Sequence, residues 1–130
     1  MSRGILTGGI AAGPTIIIGT DGLGAEVFIT NTGTRAVSCD VYCSIHEIVI
    51  TLAEGISLAP NVPTSVSGSL SPMDIIQAYM SGEITPRRYA AIFEAYFEGE
   101  LVDKLELPDA VTFVEASVEG ELSNAIIEVT

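Results

Sequence analysis

A chain of 130 residues, 48% of them apolar and 17% charged, has the length and hydrophobic content of one domain with a single buried core, and is not a disordered segment. Seventeen acids against five Lys and Arg give a formal net charge of −12, which leaves no basic footprint for a nucleic-acid backbone or an anionic membrane. No apolar run approaches the roughly 20 residues needed to span a bilayer, so membrane insertion is not expected either.

The acids are unevenly placed, with residues 71–130 holding twelve of them against three bases and residues 1–70 holding five against two. One face or end should therefore be strongly negative. At the start, MSRGILTGGIAAGPTIII has an Arg before a small apolar stretch, but its glycines and cleavage context do not suit a secretory signal. Residues 1–14 contain four glycines together with Ile5, Leu6 and Ile10. That composition makes a poor helix and a flexible, adhesive arm, suited to lie across a neighbouring subunit and add a strand to a sheet edge. The opposing expectation is a disordered leader. The isoleucines that follow, Ile16, Ile17 and Ile18, extend the candidate assembly segment. Residues 15–130 then form the single globular domain.

Over the first seventy residues apolar side chains alternate with period two, rich in Val, Ile and Thr and punctuated by GTDGLG, TNTGT and LAPNVP. Strands are expected at 15–19, 25–31, 35–45, 47–53 and 62–70. The Asn-Thr-Gly at 31–33 has the residues of a tight turn, which predicts a hairpin over 25–45.

Within that hairpin lies CDVYCSIH, residues 39–46, which holds both cysteines and the one histidine of the chain. On a helix, positions 39, 43 and 46 would share a face and offer three metal ligands. On a strand, Val37, Cys39, Val41, Cys43 and Ile45 face one way and His46 the other. The strand reading is preferred, so Cys39 and Cys43 are expected as core-facing thiols. Two cysteines four residues apart on an extended strand are about 13 Å apart, too far for a mutual disulfide. A bond to another chain is the remaining alternative to two buried free thiols.

The segment 72–98 admits two readings. TPRRYAAIFEAYFEG satisfies a helix template, with Thr85 as cap, Pro86 at the first position and Gly99 as stop, and SPMDIIQAYMSG reads similarly. As a strand, Ala91, Phe93, Ala95 and Phe97 share one face, and a turn at 98–100 sets Glu94 opposite Lys104. The frame Ala-x-x-x-Gly-Glu-(Ile/Leu) recurs at 78–84, 95–101 and 116–122, and its last copy alternates as a strand. Strands are therefore preferred, with one or two short helices as the alternative.

No GxSxG, HExxH, phosphate-loop lysine or dinucleotide fingerprint is present. The expectation is a protein that is not an enzyme and carries no cofactor. Glu98 with Glu100 and Glu119 with Glu121, each pair on one strand face, are weak candidates for Ca²⁺, with a solvated acidic face as the favoured reading.

VFITNTGTRAVSCDVYCSI at 27–45, followed by ISLAPNVPTSVSGSL at 56–70, resembles the strand, Asn-Thr-Gly turn, strand and Leu-x-Pro arrangement of small bacterial β-sandwich surface modules. It is similar in outline to the jelly-roll subunits of bacterial spore appendages. That resemblance implies a subunit that lacks a signal peptide and polymerises through an N-terminal arm. This chain departs from the pattern because its arm has no cysteine, so cross-linking by the arm is not implied. The expected fold is thus an all-β antiparallel sandwich or jelly roll of about eight to ten strands. The expected role is a self-assembling homo-oligomeric subunit of a filament, fibre or coat, at a cell, spore or virion surface. A capsid-decorating or tail protein and a soluble carbohydrate- or calcium-binding module are the alternatives.

Overall fold

The period-two alternation reappears as two sheets packed face to face. The structure, a computed structural model, describes residues 4–7 and 14–115. In chain order the elements are β1 Gly4–Thr7, β2 Thr15–Ile17, β3 Leu23–Asn31, β4 Val37–Ile45, β5 Ile48–Leu58, β6 Thr64–Leu70, α1 Pro72–Met80, β7 Arg88–Phe97 and β8 Glu100–Val114. Strands β1-β3-β6 form a three-stranded sheet, and β2-β8-β7-β4-β5 form a five-stranded one. The pairings are antiparallel except that β2 runs parallel to the end of β8. This is the all-β sandwich expected from the sequence. Leaving β2 aside, its strand order matches the A-B-E and G-F-C-C′ sheets of an immunoglobulin-type sandwich.

Inner faces of both sheets supply the core. Val27 and Ile29 of β3 meet Val41, Cys43 and Ile45 of β4 and Phe93 and Phe97 of β7, all of them fully buried. Each such large side chain contributes about 1.5–3 kcal/mol of transfer free energy. Segment 85–99 takes the strand form because Ala91, Phe93, Ala95 and Phe97 fall on one face in the middle of the larger sheet, paired on both sides. Glu94 lies opposite Lys104, as the expected turn requires.

Three sequence expectations need correction. The first is the hairpin over 25–45: β3 and β4 belong to opposite sheets, so the Asn-Thr-Gly segment begins a crossover between them. One apolar face per strand is satisfied equally by pairing side by side or by facing across a core, and alternation alone does not separate the two. What fixes the crossover is Asn31, fully buried, whose Nδ2 donates to Arg35 O at 2.8 Å and Leu58 O at 3.1 Å while its Oδ1 accepts from Gly33 N at 2.9 Å. The true hairpin joins β4 to β5, with Ile45 paired to Ile48 across His46 and Glu47. His46 takes φ +55° there, in a region His enters more readily than most residues.

The second correction concerns SPMDIIQAYMSG, which is helical. Ser71 accepts from Asp74 N while the Asp74 carboxylate accepts from Ser71 N, and Pro72 occupies the first turn. This capping box starts α1 despite its short length. The recurring Gly-Glu frame acquires a different meaning from the third correction. Gly82 (φ +82°) ends the turn region after the helix, and Glu98 (φ +52°) with Gly99 (φ +87°) forms the two-residue turn between β7 and β8. In these two copies the shared glycine marks a left-handed turn position and not a common strand design. The copy at 116–122 lies outside the described residues.

Candidate functional surfaces

The thiols were the leading chemical candidates, and the fold places both inside. Cys39 and Cys43 are free and fully buried on the inner face of β4. Burial, with a smaller contribution from the neighbouring Asp40 charge, raises the Cys39 thiol to about 11. Burial alone raises Cys43 to about 12. Both are held as neutral thiols, the inert state of a structural cysteine. His46 stands apart at the β4–β5 turn, its ring stacked on Tyr89 at 5.3 Å and its Nε2 3.7 Å from Glu47. The Arg87 guanidinium also lies 5.0 Å from the Tyr89 ring centroid, so His46 belongs to an aromatic and cationic cluster at one end of the sandwich. Among the described residues no three His, Cys, Asp or Glu side chains gather as a metal site would.

Of the acidic candidates, Glu98 and Glu100 lie among the described residues. Glu98 occupies the β7–β8 turn and Glu100 opens β8 opposite Phe97. They flank a turn rather than share a strand face, because the Glu98 backbone is left-handed. Glu119 and Glu121 lie outside the described residues.

Of the candidate assembly residues, Leu6, Ile16 and Ile18 are buried in the protein's own core, while Ile5 and Ile17 are exposed. Ile10 lies outside the described residues. Residues Gly4–Thr7, expected as part of a free arm, do add a strand to a sheet edge, but the edge is β3 of the same chain. Gly4 is needed there: a Cβ would stand 2.8 Å from Phe97 Cζ and 2.9 Å from Val102. The Leu6 N–H donates to Asp103 Oδ2 of β8 at 2.7 Å, tying β1 across the gap between the sheets.

The two outer faces differ in charge. On the five-stranded sheet, Tyr42 and Tyr96 meet edge to face at 5.9 Å. The Tyr96 hydroxyl donates to Glu94 at 3.4 Å, and Asp40 accepts from Gly55 N at 2.8 Å. Partial desolvation, followed by the Asp40 and Glu54 charges, raises the Tyr42 phenol above its ordinary value. Tyr96 is raised by the same kind of desolvation and by Glu94. On the three-stranded sheet the outward positions are Ile5 and Thr7 of β1, Gly24, Glu26, Phe28 and Thr30 of β3, and Ser65, Ser67 and Ser69 of β6. Glu26 is the one charge among them, and it accepts a hydrogen bond from Ser65. Ile5 and Phe28 are 48% and 42% exposed.

The β5 edge of the larger sheet is irregular. The long edge strand β5 carries two register breaks against β4, with Gly55 left-handed inside one of them. Bulges of this kind twist an edge away from further pairing. A shallow groove of about 310 Å³ runs between α1 and the β4–β5 turn, lined by Ile48, Leu70, Ala78, Glu47, Asp74 and Glu83 among others.

No protein-family model matches the sequence, and no curated protein matches it. Solved structures do match the fold. A FixG-related protein from Vibrio parahaemolyticus superposes with a TM-score of 0.58 at 8% identity, over 90% of this chain and 100% of that one. The CARDB domain of PF1109 from Pyrococcus furiosus gives 0.53 at 18% identity, over 88% and 98%. An alkylpurine DNA glycosylase from Pseudomonas fluorescens gives 0.54 at 12% identity over 85% of this chain, which spans 31% of the glycosylase's length. At such identities the likeness is one of fold.

Proposed function

We propose that this protein is a non-enzymatic β-sandwich module that works by contact, as a structural subunit associating with copies of itself through the outer face of its three-stranded sheet. The observation that carries this reading is the charge on the two faces. In a chain of net charge −12, two copies repel one another across most of their surface. The face carrying Ile5, Phe28 and the β6 serines has a single carboxylate, already engaged by Ser65. It is the face on which a second copy meets the least repulsion, and it exposes Ile5 and Phe28. The residues that chemistry would require have structural places instead: the thiols in the core, His46 in a turn. The fold's occurrence as an entire small chain and as a minor part of larger ones supports reading it as a module.

Strands of four, nine and seven residues, about 4.8 Å apart, present roughly 300 Å², well below the ~800 Å² per partner of a stable interface. Face pairing alone is therefore weak, and it gains strength through repetition in an assembly. Association should rise with protein concentration and with added salt, which screens the net charge. Analytical ultracentrifugation across a concentration and salt series tests this. A monomer throughout would contradict it.

A second reading has one observation in its favour. Tyr42 and Tyr96 with Asp40 and Glu94 on the open five-stranded face have the make-up of a platform on which a sugar ring stacks and hydrogen-bonds. Glycan-array binding that is lost in Tyr42→Ala and Tyr96→Ala would support it.

A further inference from the structure

We propose that the groove between α1 and the β4–β5 turn is a docking site for a short segment of a partner protein, one that carries an apolar anchor flanked by Lys or Arg. The groove shares no residue with the outer face of the three-stranded sheet, so this inference stands apart from self-association.

Helical spacing builds one wall. Asp74, Gln77, Ala78 and Ser81 stand at i, i+3, i+4 and i+7, a single stripe along α1 and its C-cap, and all four line the groove. The other wall is the β4–β5 turn and the start of β5, where Glu47, Ile48 and Val49 follow one another. Local contacts hold both walls in place. Ser71 and Asp74 cap the start of the helix, and Ser81 Oγ donates to Gln77 O at 2.9 Å at its end. On the turn, the His46 ring stacks on Tyr89. A preformed groove spares much of the ordering cost of binding.

Size and chemistry select the occupant. At about 310 Å³ the groove is at the small end of ligand sites, with room for an anchor side chain rather than a folded surface. Ile48, Leu70 and Ala78 give it apolar surface, and Val49 is 59% exposed at its side. Met73 and Met80 lie one turn to either side of Gln77 and are 62% and 80% exposed. Flexible methionine side chains mould themselves to varied apolar partners. The charged lining residues are Glu47, Asp74 and Glu83, and none is basic. Charge disfavours two occupants at once: a second copy carries −12, and residues 116–130 of this chain bring Glu119, Glu121 and Glu128 with no base. A segment with Lys or Arg on both sides of its anchor meets attraction instead, and the field of the whole chain steers its approach.

The probe is a fluorescein-labelled Lys-Lys-Leu-Leu-Lys-Lys peptide, read by fluorescence anisotropy with dilute protein. Lys-Lys-Ser-Ser-Lys-Lys keeps the charge without the anchor. Glu47→Lys with Glu83→Lys reverses two lining carboxylates, and Glu54→Lys with Glu106→Lys makes the same change of net charge at exposed sites outside the groove. Docking predicts that the leucine peptide binds the wild type at least tenfold more tightly than the serine peptide. The first double variant should bind it at least tenfold more weakly, and the second within about threefold of the wild type. Val49→Ser keeps every carboxylate and should weaken binding about threefold; it carries the test if a double variant fails to fold. Equal binding of the two peptides, or equal losses in the two double variants, would mean attraction to net charge alone and would overturn the docking site. A wild type that binds neither peptide would overturn it as well.

Discussion

The two sheets bury apolar inner faces and expose outer faces that differ in charge. The five-stranded sheet holds the three fully buried phenylalanines Phe93, Phe97 and Phe113 and turns carboxylates, two tyrosines and the exposed Val49 and Leu101 to solvent. The three-stranded sheet contributes smaller aliphatic side chains inward and presents serines, threonines and two exposed apolar residues outward. The largest buried side chains belong to the first, and the proposed contact to the second.

The comparison can be broken most sharply at Phe97, which is fully buried in the core and lies against Gly4 of β1. Phe97→Ala should cost about 3–5 kcal/mol in chemical denaturation, the usual loss for a buried Phe. Val49→Ala, at an exposed site on β5, should stay within about 0.5 kcal/mol. Asn31→Ala comes next. It leaves Gly33 N and two carbonyls without their partner in the crossover, and should cost about 2–3 kcal/mol.

The thiols give a pH test of the same core. Both are raised in the folded protein, from an ordinary 9.0 to about 11 and about 12, so between these values the folded state binds more protons than the unfolded one. Their contribution is complete below pH 9 and is lost as pH rises through 9 toward 12. Urea midpoints should fall across that alkaline range, and more steeply than in a C39A/C43A variant. At pH 8, native protein should resist a thiol reagent that labels the unfolded chain fully. Ser71→Ala, which removes one arm of the capping box at α1, should cost about 1 kcal/mol. The smallest effect on stability belongs to Phe28→Asp on the outer face, about 0.5 kcal/mol, and that variant should lose association.

Much of this fold was legible because strand periodicity is local. The inward set Val37, Cys39, Val41, Cys43 and Ile45 and the set Ala91, Phe93, Ala95 and Phe97 follow from alternation alone. What alternation does not carry is which strand lies beside which. It therefore gave no warning that Asn31 opens a crossover, since that role depends on Leu58, 27 residues away. The break expected between the strands at 35–45 and 47–53 falls at the β4–β5 turn, whereas the Gly-Glu frame misled because a turn glycine and a strand glycine look alike in sequence. The contrast between the outer faces was invisible for the same reason. Ile5, Phe28 and Ser65 become neighbours only once β1, β3 and β6 are aligned.

Sedimentation velocity of the intact protein beside its Phe28→Asp variant tests the central claim most directly. Over a wide concentration range the wild type should show a weight-average sedimentation coefficient that climbs, while Phe28→Asp stays at the monomer value with a denaturation midpoint only slightly lowered. A wild type that remains monomeric, or a variant that associates as readily as the wild type, would contradict the account.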